Sequence, residues 1–322
     1  MRDTAYVNAL AVSAQKSLLT KSKFLTMAEA SSPEDALSVL KSSGFGEGTE
    51  ISGAGEYEKL VDKEREKLRA FLREYSPSKG LIAYCYLGGD FFNLDAAARK
   101  VLLGADDAAY SPDGETSTEL LEKYFGGEKV VLPDYLSATA IALKEACKNS
   151  PTGKILSLIT VKGKYAVMLK TIKNRVIRDF IRTEIDCKNV SAYFRAKDKT
   201  TAEEQFIPGG KIKKEKLAAI LYKDTSRTRN AFLFTPYYGI IEECLKAKEN
   251  GEPFTKLEKL ADDYPLKKIA GKKYEITGVT PMLVYCLYKN AELKNVRTVM
   301  SGKLASAPSS LITGRLREVY GE

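Results

Sequence analysis

Histidine is absent from this 322-residue chain. Without an imidazole, Ser-His-Asp and Cys-His nucleophile pairs, His-ligated zinc and His acid–base catalysis are all excluded. Cysteine is scarce: Cys85, Cys147, Cys187, Cys244 and Cys286 are odd in number and form no Cys-x-x-Cys pair. Most lie in apolar helical contexts, which predicts buried free thiols. No apolar run approaches the roughly 20 residues that span a bilayer. The start, Met1-Arg2-Asp3-Thr4, lacks the apolar centre of a secretory signal, so a cytosolic or peripheral protein is expected. No Gly-x-x-x-x-Gly-Lys-Ser/Thr occurs, which excludes a Walker phosphate loop. The glycines from Gly44 to Gly48 fail Gly-x-Gly-x-x-Gly and read as a connector.

Positive charge is in excess. Fifty-one basic residues against forty-two acidic ones give a net +9 and a pI near 9.0. An acidic partner, nucleic acid or a negative membrane surface suits that balance. The charges are interspersed, however, and the densest run, Lys211 to Lys216, contains Glu215. A solvated helix face is the plainer reading of that run.

One short signature occurs three times. Asp90-Phe91-Phe92-Asn93-Leu94, Asp186-Cys187-Lys188-Asn189-Val190 and Glu292-Leu293-Lys294-Asn295-Val296 all read acid, two variable residues, Asn, aliphatic. Their acids stand 96 and 106 residues apart, close to a third of the chain. The first and third copies agree further: Glu58-Lys59-Leu60-Val61-Asp62 answers to Glu258-Lys259-Leu260-Ala261-Asp262, and Tyr84-Cys85 to Tyr285-Cys286. Arg99 and Arg195 each follow their acid by nine, and Pro112 and Pro208 follow their Asn by nineteen. An ordered set of matches argues for internal duplication and therefore for a scaffold.

Helix signals dominate. Ser32-Pro33 with Asp35, Thr116 with Glu119, Thr255 with Glu258, and Thr280-Pro281 predict helix starts. From Glu56 to Tyr75, residues including Tyr57, Leu60, Val61, Leu68 and Leu72 line one face. The longest periodic pattern runs from about Lys154 to Lys197, as one helix loosened at Gly163. Leu81 to Leu87 is strand-like in composition, but its match to Met282–Tyr288 argues for helix. Val130 to Leu132 is left open. Loops are expected at Gly44–Gly55, Ser76–Gly80, Ser111–Gly114, Asn149–Gly153, Pro208–Gly210 and Asn250–Pro253.

The prediction is an all-α protein of three helical-bundle repeats, over 1–126, 127–223 and 224–322. On a helix, residues three apart share a face, so each copy presents a carboxylate beside an amide. The six positions Asp90, Asn93, Asp186, Asn189, Glu292 and Asn295 are assigned to structure. An amide that donates and accepts can tie a loop backbone or helix end at the same place in each copy. Catalysis or ion binding would need two acids together, and each copy supplies one.

The run Thr280-Pro281 … Tyr285 … Glu292-Leu293-Lys294-Asn295-Val296-Arg297 … Gly302-Lys303-Leu304 … Pro308 … Arg315-Leu316-Arg317-Glu318-Val319-Tyr320 closely resembles the end of the C subunit of archaeal-type and bacterial V-type rotary ATPases. The eukaryotic relative is the d subunit of the vacuolar enzyme. Tyr6-Val7-Asn8-Ala9 resembles the opening helix of that family, and Glu184 to Val190 with Arg195-Ala196-Lys197 and Pro208-Gly209-Gly210 its middle repeat. The resemblance implies three helical domains in a pseudo-threefold funnel. It also implies a non-catalytic central-stalk subunit, peripheral on the cytoplasmic face of the membrane. Its partners would be the membrane proteolipid ring and the shaft subunits D and F, and it would transmit torque between ATP turnover and proton or sodium transport. No catalytic, cofactor-binding or metal-binding residue, no nucleic acid and no small-molecule substrate is then expected. Charge alone leaves a second reading, a basic helical-repeat adaptor for nucleic acid or another acidic partner, testable by its salt dependence.

Overall fold

A computed structural model describes residues 4–105, 109–148, 152–221 and 224–321. Met1 to Asp3 and the Asn149–Pro151 part of one predicted loop lie outside these. Among the described residues every regular element is helical. The first four helices are α1 (Thr4–Gln15), α2 (Lys21–Glu29), α3 (Pro33–Ser42) and α4 (Tyr57–Tyr75). Then come α5 (Lys79–Leu103), α6 (Thr118–Phe125), α7 (Asp134–Cys147), α8 (Gly153–Thr171), α9 (Arg175–Arg195), α10 (Lys199–Gln205) and α11 (Lys214–Leu217). The chain ends with α12 (Thr225–Phe232), α13 (Tyr238–Glu249), α14 (Phe254–Ala270), α15 (Thr280–Leu304) and α16 (Ser309–Gly314).

Contacts divide the chain into two compact units. Unit 1 joins residues 1–77 to 222–322, and unit 2 holds 78–221. In unit 1 the chain's two ends share one core. Phe24 and Met27 of α2, Leu40 of α3, and Leu60 and Val61 of α4 pack with Val296, Val299, Met300, Ile312, Leu316 and Val319. Asn8, near the start of α1, fixes this pairing with its amide, which donates to the backbone carbonyls of Ile276 at 2.9 Å and Gly278 at 3.2 Å. The Glu-Lys-Leu-x-Asp matches lie in α4 and α14, and both helices pack against α15. In unit 2, Phe91, Leu94 and Ala98 of α5 meet Leu121, Phe125, Leu132, Leu136, Ala140, Leu143 and Leu156.

The helix starts follow local chemistry, with two corrections. Ser32 caps α3, accepting from Asp35 N at 3.0 Å while its hydroxyl donates to the Asp35 carboxylate at 2.8 Å. Ser117, not Thr116, caps α6, and the Thr116 hydroxyl instead meets the Tyr135 hydroxyl at 3.2 Å. Thr255 lies inside α14, which begins after Pro253 without a side-chain cap. Leu81 to Leu87 is helical within α5, as its match to α15 suggested. At Val130–Leu132 no strand forms: Leu132 is buried in the core and Val131 is 88 % exposed.

The long 154–197 pattern is two helices. Asn174 adopts an extended backbone, and its side chain accepts from Val176 N at 3.0 Å and Ile177 N at 3.2 Å, nucleating α9. Arg178 reaches back to cover the Leu169 and Ile172 carbonyls at the end of α8. Asparagine competes for backbone donors in this way, and here the cap wins over helix continuation. Gly163 does not loosen α8. A Cβ there would fall 2.2 Å from Thr139 Oγ1, so the glycine lets α7 and α8 approach closely.

Candidate functional site: three helix-to-strap clasps

All three signature asparagines are buried, each on a long helix, and each grips an irregular strap of chain that follows. On α5 the Asn93 amide donates to Ser111 O at 2.9 Å and accepts from Ser111 N at 2.7 Å. On α9 Asn189 does the same with Ile207, both bonds at 2.8 Å. On α15 Asn295 donates to Arg317 O at 3.2 Å and accepts from Arg317 N at 2.7 Å. The amide thus satisfies both backbone groups of one strap residue, and at Ile207 those groups are buried.

The acids complete two of the clasps identically. Asp90 Oδ1 accepts from Glu115 N at 2.8 Å and Thr116 N at 2.7 Å, and its Oδ2 accepts from the Tyr135 hydroxyl at 2.8 Å. Asp186 Oδ1 accepts from Lys211 N and Ile212 N, both at 2.9 Å. Pro112 and Pro208 each follow the clasped residue and hold it extended. Glycine two positions further on permits the close approach. A Cβ at Gly114 would lie 2.4 Å from Asn93 Nδ2, and one at Gly210 would lie 2.1 Å from Asp186 Oδ1.

The third copy differs, because its strap carries α16 and its acid is a glutamate. Glu292 Oε1 accepts from Leu19 N at 2.6 Å, so it grips the N-terminal segment instead of its own strap. Its Oε2 bonds Lys289 Nζ, which also reaches Glu64 Oε2 at 2.6 Å. Glu64 Oε1 accepts from Gly46 N at 3.0 Å. The strap residue next to Arg317 is held by Asp263, whose Oδ1 accepts from Glu318 N at 3.0 Å.

Burial and charge act in opposite senses on this group. Burial pushes the Glu292 carboxyl above its ordinary range, and Lys289 only partly offsets it. Burial is the largest influence on Glu64 too, but Lys289, Lys67 at 2.8 Å and the Gly46 N–H together outweigh it and hold the carboxyl low. Lys289 is penalised by burial, yet its two carboxylates raise it above the usual lysine value.

The other matched residues do not share roles. Arg99 pairs with Asp95 at 2.8 Å and bonds Gly153 O and Ser157, whereas Arg195 turns back to Ser191 O at 3.3 Å. Cys187, Cys244 and Cys286 are buried free thiols, while Cys85 and Cys147 are half-buried. Sequence reasoning missed Glu64, Lys289 and Asp263, which resemble ordinary charges on amphipathic helices.

The site is thus a set of backbone clasps in an all-α protein, each signature asparagine holding one strap residue. Among the described residues no group of acids and cysteines is placed to hold a metal ion, and no helix is long and apolar enough to cross a membrane. The chain belongs to the ATP synthase (C/AC39) subunit family, whose profile matches residues 7–315. It is 22 % identical to the C subunit of the V-type sodium ATPase of Enterococcus hirae, over 98 % of both chains. It is 23 % identical to the C subunit of the A-type ATP synthase of Methanocaldococcus jannaschii, over 93 % of this chain and 82 % of that one. A match to the corresponding A-type ATP synthase C subunit of Desulfurococcus sp. reaches 27 % over 53 % of this chain and 44 % of that one.

Proposed function

We propose that this chain is a non-catalytic central-stalk subunit of a V-type or A-type rotary ATPase. It joins the membrane proteolipid ring to the shaft subunits D and F, from the cytoplasmic face, and passes torque between ATP turnover and proton or sodium movement. The observation that carries the reading is the family match from residue 7 to residue 315. The clasps support it mechanically. A part that transmits torque must resist shear between its helices and connecting loops, and double hydrogen bonds from buried amides to the straps supply that resistance. Each proposed repeat, 1–126, 127–223 and 224–322, contains one clasp, consistent with three lobes built on one plan.

Affinity purification of the native complex through a tag on this chain tests the reading. Ring and shaft subunits are expected in the eluate, and deletion of the chain is expected to uncouple ATP hydrolysis from ion transport. A chain recovered only free, with coupling intact after its deletion, would remove the proposal.

A further inference from the structure

A cationic groove of about 440 Å³ lies in unit 1, between α14, α15 and the chain that follows α16. Lys294, Arg297, Arg315 and Arg317 line it, against one carboxylate, Glu258. Two of the cations are committed. Arg297 grips Glu58 with bonds of 2.8 and 2.9 Å, and Arg317 stands 3.3 Å from Asp262. Lys294 and Arg315 are exposed and make no ion pair among the described residues. The groove is built rather than incidental. Lys294 immediately precedes Asn295, and Arg315 lies two residues before Arg317, whose backbone Asn295 holds at both N and O. The third clasp therefore ties together the two backbone segments, on α15 and after α16, that carry these cations into one concavity.

Resting on the rotary-subunit reading above, we propose that this groove receives a Glu/Asp-rich segment of a partner polypeptide. Guanidinium forks match carboxylates with paired bonds, and the remaining lysine supplies a movable charge. A lone small anion is a poorer fit, since the two unpaired cations are exposed and the groove is open. Nucleic acid is poorer still. Single-stranded binding couples a charged track to aromatic stacking platforms, and among the described residues no aromatic ring lines this groove.

The test uses the full chain and a fluorescein-labelled twelve-residue peptide of alternating Glu and Ala, followed by anisotropy. The double variant Lys294→Ala/Arg315→Ala is expected to bind about tenfold more weakly, a sum of two exposed ion contacts. A control, Lys41→Ala/Lys248→Ala, removes two exposed lysines elsewhere and is expected to change binding less than about twofold. Equal weakening in both variants overturns the proposal, as does displacement of the peptide by inorganic phosphate beyond the effect of sodium chloride at equal ionic strength. Tighter binding of a twelve-residue oligothymidylate, lost in the same double variant, also overturns it. Peptide binding indifferent to the double variant, in a chain that still recovers ring and shaft, overturns the groove alone. Failure to recover the complex at all removes the reading beneath it.

Discussion

Lys289 shows how one side chain can hold distant segments together. It is 6 % exposed, and its ammonium sits between Glu64 from α4 and Glu292 on its own helix, while Glu292 in turn accepts from Leu19 N. Replacing one partner of a buried ion pair costs more than the pair contributes, because the remaining charge stays buried without compensation. Lys289→Met leaves Glu292 buried without a cation, while Glu64 keeps Lys67 at 2.8 Å, and a loss of about 3 kcal/mol is expected in urea denaturation. The two acids should respond to pH with opposite signs. Glu292 is raised by burial, so the folded chain holds its proton more tightly than the unfolded chain does. Its contribution therefore falls as pH rises from the ordinary carboxyl value through the folded one. Glu64 is held low against burial by Lys289, Lys67 and the Gly46 N–H, so its contribution is full above the ordinary value and is lost as pH falls through the folded one. The stability gap between the parent and Glu292→Gln should narrow as pH rises above the ordinary carboxyl value, while the gap to Glu64→Gln should close as pH falls below that value. Denaturation curves at each pH decide this, and parallel trends in the two variants would refute the assignment.

A clasp joins a helix to a strap through two or more backbone groups, so its loss should be felt along the strap. Asn189→Ala leaves the Ile207 N–H and carbonyl buried without partners, at an expected cost of about 2–4 kcal/mol. Hydrogen exchange should then quicken at Ile207, and also at Lys211 and Ile212, although Asp186 is untouched. Unchanged protection at those three amides would show that the strap is held by its packing alone. Gly210→Ala should have a similar effect from the other side, since its Cβ would fall on the Asp186 carboxylate. Much of this was legible in the chain. The acid-x-x-Asn spacing put both side chains on one helix face, and Pro112 and Pro208 stand one residue beyond the backbone that is clasped. The third strap was less legible, because α16 lengthens the interval from 18 residues to 22 and no proline follows Arg317. The helix break at Asn174 was hidden because apolar periodicity continues across it, and only the capping ability of one amide marks the turn. The Glu292–Leu19 bond could not be read at all. It spans 273 residues, and nothing local distinguishes Glu292 from the aspartates of the other copies except one methylene.

In unit 1 helices near both ends of the chain are packed into a single core, which is what the proposed passing of torque would require of the body. Leu316 and Val319 lie in that core with residues of α2, α3, α4 and α15, and Tyr320 stacks edge-on with Tyr288 at 5.3 Å. Arg317 supplies the backbone that Asn295 grips, and its side chain pairs with Asp262. Deleting the chain from Arg315 onward removes all of these together. Burying two aliphatic side chains alone contributes about 3–6 kcal/mol, before the orphaned Asn295 amide is counted. Exchange protection should therefore fall over α2, α3 and α15, while α5 and α9, whose clasps lie wholly within unit 2, keep theirs. On the rotary reading, the truncated chain should also weaken coupling more than it weakens ATP hydrolysis, because no catalytic group has been touched. Vesicles carrying the purified complex offer both readouts at once, ATP turnover and ion accumulation. A truncation that lowers the two in proportion would mean that the joined ends serve assembly of the complex and not the transfer of torque.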